Sequence, residues 1–176
     1  METTKNKLSP YAFMFYKQLE NYLETPLYFY GSIQRNDYVP NKSDIDVDIF
    51  SINVDSTITK IQNLLDIDKS KFKKIIYSIK NNIITGYKFS IKRQEHFFRT
   101  DISIFDEKYK DLVLGEHSRK INMPFYISIM IIILKFLYYQ LGIIPLNYFK
   151  YYKDTLIDYA FEPKSQFLVI DLKDEK

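Results

Sequence analysis

Apolar residues recur along the chain with two different periods, and the places where the period changes predict its elements. Ala12, Tyr16, Leu19 and Leu23 fall at helical spacing behind Ser9-Pro10, a hydroxyl cap followed by proline in the first turn. Residues 10–24 are therefore expected to form an amphipathic helix, which Thr25-Pro26 ends. Leu27–Tyr30 reads as a short aromatic strand running into Gly31-Ser32, and a polar loop from Gln34 to Lys42 leads to Ser43. From Asp44 to Ile49 acidic and aliphatic residues alternate strictly, the pattern of a half-buried strand. Asp44, Asp46 and Asp48 then share one face, and Ile45, Val47 and Ile49 the other.

Further along, Asp55 or Ser56 is expected to cap a helix over about 57–66, and Ser70 another running to about Lys80. Two strands follow, Gly86–Ile91 and His96–Phe105, with Lys92-Arg93-Gln94-Glu95 at their turn. Short helices and loops fill Asp106–Lys120, Leu146–Ala160 reads as helix, and Phe167–Leu172 as a strand or tail. Between them, Ile121–Phe149 carries a single charge, Lys135, which divides it into two uncharged runs of 14 residues. A spanning helix needs about 20 consecutive apolar residues, and Gly142 and Pro145 interrupt the second run. A buried core helix of about 15–20 residues fits better, beginning near Asn122 or Met123 with Pro124 in its first turn. No stable membrane insertion is expected. Residues 1–176 are expected to form one α/β (α+β) domain: a small mixed sheet flanked by helices over about 10–106, then a helical C-terminal extension over about 107–176.

Composition narrows the chemistry. The chain has no cysteine, which excludes disulfides, a thiol nucleophile and thiolate zinc sites, and only two histidines, His96 and His117. Any chemistry must rest on carboxylates, hydroxyls or lysines, and both histidines are expected at the surface or in hydrogen bonds. Residues 1–13 lack the apolar core of a secretory leader, so a soluble, intracellular (cytoplasmic) protein is expected. Ile, Lys, Tyr and Phe make up 76 of 176 residues; all four use A/T-rich codons, so lysine number says less than lysine position. Ten basic residues lie between Lys60 and Arg99 against three acids, a local net of +7, while the rest of the chain nets −4. That asymmetry suits a polyanion, and equally a solvated face inflated by codon bias. Tyr138, Tyr139, Tyr148, Tyr151 and Tyr152 could stack bases, but at helical spacing they are expected to pack the C-terminal helices together.

Three acids at about 7 Å spacing on one strand face repel unless a cation neutralises them. Mg²⁺ takes carboxylate, water and phosphate oxygens, so the row can be a metal site; it can equally be a charged edge strand. The upstream context separates these. An apolar strand ending in Gly31-Ser32, a polar stretch, then Ser43-Asp44-Ile45-Asp46, with Gly31 thirteen positions before Asp44, resembles the signature of the DNA polymerase beta-like nucleotidyltransferases. Arg35 and Asp37 resemble the polar residues that follow the Gly-Ser pair. Arg99-Thr-Asp101-Ile-Ser-Ile104 resembles the later strand carrying a third acid, with Thr100 where an apolar residue is usual.

The resemblance covers about residues 10–106 and implies roles residue by residue. Asp44 and Asp46 would coordinate Mg²⁺ (or Mn²⁺), two ions in all, and Asp101 would complete the second site and help activate an attacking hydroxyl. Gly31 and Ser32 would cradle phosphates and Arg35 would contact the nucleotide; apart from the resemblance, arginine forks onto phosphate oxygens, so Arg93 or else Arg99 could reach the triphosphate. Asp48 is either the second member of a shifted Asp46/Asp48 pair or a spectator at the solvated end of the strand; the Gly-Ser spacing favours the spectator.

The implied activity is transfer of a nucleoside monophosphate from an NTP or dNTP to a hydroxyl with release of pyrophosphate, the acceptor being a nucleic-acid 3′ end. The alternatives are a protein or small-molecule hydroxyl, as in the minimal nucleotidyltransferases of toxin–antitoxin systems, or an inactive fold kept for binding, with or without a protein partner.

Overall fold

Ser9 accepts a hydrogen bond from the Ala12 amide at 3.2 Å and Pro10 follows it, so α1 (Pro10–Leu23) starts where the cap predicts. A computed structural model describes residues 3–79, 82–161 and 165–170. After α1 come β1 (Leu27–Tyr30), β2 (Ile45–Ser51), α2 (Val54–Leu65), β3 (Lys73–Ile79), β4 (Asn82–Arg93) and β5 (Phe98–Asp106). Then follow α3 (Lys110–Ile121), α4 (Phe125–Tyr139), α5 (Leu146–Phe161) and β6 (Ser165–Ile170). The strands form one mixed sheet in the order β1-β2-β5-β4-β3-β6, and the architecture is α+β. Neighbours run antiparallel except β2 and β5, which are parallel.

The alternation seen in β2 sorts the sheet into two faces. Val47 and Ile49, with Ile102 and Ile104 of β5 and Phe89 of β4, pack under Tyr16 and Leu19 of α1 and Ile58 and Ile61 of α2. Burying a side chain of this size contributes about 1.5–3 kcal/mol, which makes this layer the main source of stability. On the opposite face Phe50, Ile75, Tyr77, Ile79, Ile84 and Phe105 pack with Val113 of α3. That second core fills only one end of its face, and the acids of β2 and β5 occupy the other.

The structure corrects several expectations. Residues 70–79 are not a helix, and residue 80 lies outside the described residues: after a short turn of 3₁₀ helix at Lys69–Lys71, β3 lies between β4 and β6, with Ile75, Tyr77 and Ile79 buried at alternate positions. Pairing on both edges overrides the cap-like Ser70, whose amide is satisfied by Asp68 at 2.8 Å. Asn53, rather than Asp55 or Ser56, caps α2 by accepting from the Ser56 amide at 3.0 Å. The C-terminal part is not purely helical, because β6 returns to pair with β3; residues 171 and 172 lie outside the described residues.

Nor is α4 a buried core helix. Its Ile127, Ile131, Leu134 and Lys135 turn inward while Phe125, Tyr126, Met130, Ile133 and Phe136 stay exposed. Tyr138 stacks on Phe149 of α5 at 4.3 Å, as expected of helix packing, whereas Tyr148, Tyr151 and Tyr152 are exposed. Among the described residues no single helix is long and apolar enough to cross a membrane; residues 107–121 and 125–139 pass such a test only jointly, across an 81° bend.

Candidate functional site

Parallel pairing of β2 with β5 sets Asp46 directly beside Asp101 and Asp48 beside Ser103. Thr100, where an apolar residue was expected, is buried and donates to the Ile45 carbonyl at 2.8 Å, pinning the two strands at the acids. On the other side of β2, Tyr30 of β1 pairs with Asp46, and the chain turns immediately at Gly31, whose φ is +71°. A Cβ at Gly31 would collide with Asp46 Oδ2, so the glycine serves both the left-handed turn and the close approach of backbone to carboxylate.

The site therefore unites Gly31, Asp46 and Asp101, with Asp44 exposed at the entrance to β2. Asp101 accepts from Ser90 Oγ at 2.6 Å and pairs with Lys88 Nζ at 2.7 Å, both from β4. Burial pushes the Asp46 carboxyl up to about 7; Lys88 pulls the other way, and Asp101 and Asp44 add to the rise. Asp44 is also raised, by partial desolvation of its carboxyl first, although the residue as a whole is exposed, and by Asp101 second, with Arg99, Lys153 and Lys88 opposing. The row of negative charge is thus under-compensated by the side chains around it.

A cavity of about 280 Å³ opens beside this row. Arg35, Lys88 and Lys120 give it positive charge, and Tyr30, Tyr77, Phe105 and His117 give it aromatic walls. Lys88 and Lys120 were not singled out from the sequence. Lys88 was legible only as one of ten basic residues, and Lys120 reaches the cavity because α3 packs across the sheet. Arg93 lies exposed at the far end of β4, three residues past Ser90, and does not line the cavity; neither does Ser32, whose carbonyl accepts from the Arg35 amide at 2.9 Å to close the turn.

Asp48 is not at a solvated end. It is fully buried, its Oδ2 lies 2.7 Å from His117 Nε2, and among the described residues neither of its oxygens has an aligned hydrogen-bond partner. Burial raises its carboxyl, with His117 opposing. His117 also stacks on Tyr30 at 3.8 Å, and His96 stacks on Tyr11 at 3.9 Å, away from the acids.

The donor set fits a divalent cation in charge and chemistry. Adjacent carboxylates on a parallel pair, one of them raised to about 7, are what a hard cation relieves. As the side chains stand, no group of three or more His, Cys, Asp or Glu converges closely enough to hold an ion among the described residues; the Lys88 ammonium holds Asp101 instead. An ion at Asp46 and Asp101 must take the place of that ammonium. Comparison with family models, with curated proteins and with solved structures returns no match.

Proposed function

We propose that the chain is a nucleotidyltransferase of the polymerase beta-like kind, transferring a nucleoside monophosphate from an NTP or dNTP to a nucleic-acid 3′ hydroxyl. The observation that carries this reading is the pairing of Asp46 with Asp101 across β2 and β5, behind a Gly31 turn that touches Asp46. Asp44, Asp46 and Asp101 would hold Mg²⁺ or Mn²⁺, which supplies charge neutralisation at the phosphates and a lowered hydroxyl pKa. The acceptor oxygen bonds to the α-phosphorus, the bond to the bridging oxygen breaks, pyrophosphate leaves, and the hydroxyl proton passes to Asp101. Arg35 and Lys120 stand in the cavity to bind phosphate oxygens.

A nucleic-acid acceptor is supported by the sheet register. Lys92 opposes Arg99 on the face that carries Asp101. Directly opposed like charges destabilise a sheet, and a polyanion laid along that face offsets their repulsion. The test is incubation with each labelled NTP and dNTP, Mg²⁺ or Mn²⁺, and a panel of DNA, RNA and cell-extract acceptors, with Asp46→Asn as control. Label on a nucleic-acid 3′ end that is lost in the variant is the expected result; label on protein alone would replace the acceptor.

The Lys88–Asp101 ion pair favours a second reading, a binding fold in which the ammonium permanently substitutes for the ion. Absence of Mn²⁺ binding in the wild type and its appearance in Lys88→Met would select it.

A further inference from the structure

Lys135 is the only charge in the apolar stretch from Ile121 to Phe149, and α4 buries it while leaving apolar side chains in solvent. Its exposure is 5%, against 52% for the adjacent Phe136. That reverses the usual sorting, since removing an ammonium from water costs several kcal/mol and exposing phenylalanine forfeits stabilisation. Three acceptors offset part of that cost, burial still drawing the ammonium below its ordinary value. Nζ donates to the Asp37 carbonyl at 2.6 Å, to Asp37 Oδ2 at 2.8 Å and to Ser43 Oγ at 3.4 Å.

Those acceptors belong to one loop, the segment that runs from the Gly31 turn to the acid strand. Asp37 in turn holds Arg35 through Nε–Oδ1 at 2.7 Å and a second bond to Oδ2 at 3.2 Å, and Arg35 lines the cavity beside Asp46. Ser43 immediately precedes Asp44 and closes the loop on itself, donating its amide to the Val39 carbonyl at 2.9 Å and accepting from the Val39 amide at 3.1 Å. One ammonium, 98 residues along the chain from Asp37, therefore fastens both ends of the loop between the phosphate-side arginine and the first metal-side acid.

We infer that Lys135 is a positioning residue for the candidate active site: through Asp37 it sets Arg35, and through Ser43 it sets Asp44. The inference rests on the proposed reading of that site. A purely structural role makes a different prediction: removing one partner of a buried ion pair lowers stability but leaves the affinities of the folded protein unchanged. In Lys135→Met the Asp37 carboxylate keeps Arg35, so the variant is expected to fold, yet the loop loses its anchor.

The experiment measures Mn²⁺ affinity by electron paramagnetic resonance, nucleoside triphosphate affinity by calorimetry, and thermal melting, for the wild type and Lys135→Met. The expected result is a variant that melts lower but folds, and that in its folded state binds Mn²⁺ and nucleotide about 10- to 100-fold more weakly, the range for losing an outer-shell support. Equal affinities in a folded Lys135→Met overturn the positioning role while leaving the proposed function standing. A wild type that binds neither probe overturns both. Should Lys135→Met not fold, Ser43→Ala cuts the tether at its acid end without disturbing the buried charge pair, and its Mn²⁺ affinity decides by the same criterion.

Discussion

Two groups of carboxylates lie within a few residues of each other along the chain, and they are treated in opposite ways. Asp37 is almost fully buried, but Arg35 and Lys135 supply hydrogen bonds and charge that together outweigh its burial and hold its carboxyl below the usual range. Asp46 and Asp48 face Lys88 and His117 with fewer or poorly aligned donors, and burial wins, pushing both upward. At Asp37 the acid is compensated, although burial still pulls the Lys135 ammonium below its ordinary value. In the second group the surrounding cations leave the carboxyls raised, and that residual is the observation on which the proposed ion site rests.

The contrast breaks most directly by neutralising one acid at a time. Asp37→Asn leaves two cations facing a neutral amide in the interior and is expected to cost about 3–5 kcal/mol of stability, read from urea unfolding. Asp46→Asn is expected to keep or raise stability in the absence of ions, because it removes a desolvated and repelled charge, while nucleotidyl transfer falls on the order of 10²–10³-fold. A destabilised Asp46→Asn and an indifferent Asp37→Asn would invert the assignment of the two groups.

Acidity sharpens it further. Asp46 moves from a usual 3.8 to about 7 on folding, so the folded chain binds more protons between those values. Its contribution to stability is full below about pH 4 and is lost as pH rises toward 7. Asp37 has the opposite sign: its contribution is present above 3.8 and is lost as pH falls through its lowered value. Unfolding at pH 5 and pH 8 is expected to show Asp46→Asn gaining on the wild type at the higher pH, with millimolar Mg²⁺ narrowing the gap. Smallest in stability is Gly31→Ala. The left-handed backbone there costs about 1–2 kcal/mol for a residue with a Cβ, and the collision with Asp46 Oδ2 is expected to weaken Mn²⁺ binding as well.

Local pattern carried the elements around the acids: the capped α1, the aromatic β1, the turn at Gly31 and the alternation of β2 could all be read from neighbouring residues. What failed were statements that depend on distant partners. Residues 73–79 place Ile75, Ile76 and Ile79 at spacings a helix also tolerates, and only pairing to β4 and β6 makes them a strand. Their β-branched and aromatic content was the available signal. Asp48 read as solvated because a strand pattern says which face a residue takes, not whether a helix 60 residues later will cover it with His117. The Lys135–Asp37 pair left only one trace, a charge where none was expected.

The parallel pairing of β2 with β5 also has a consequence in time. Asp46 and Asp101 are 55 residues apart in sequence, and they meet along the one parallel junction among the described strands. The β1–β2 pair and the β3–β4–β5 meander each have antiparallel partners close by in the chain; only their docking creates the acid pair. Contacts so distant in sequence carry a high loop-closure cost, so the acid pair is expected to form with the docking of the two pieces, along the seam between them, rather than within either one. An ion bound there would act as a rivet across that seam, slowing the separation of the two halves more than it speeds their joining.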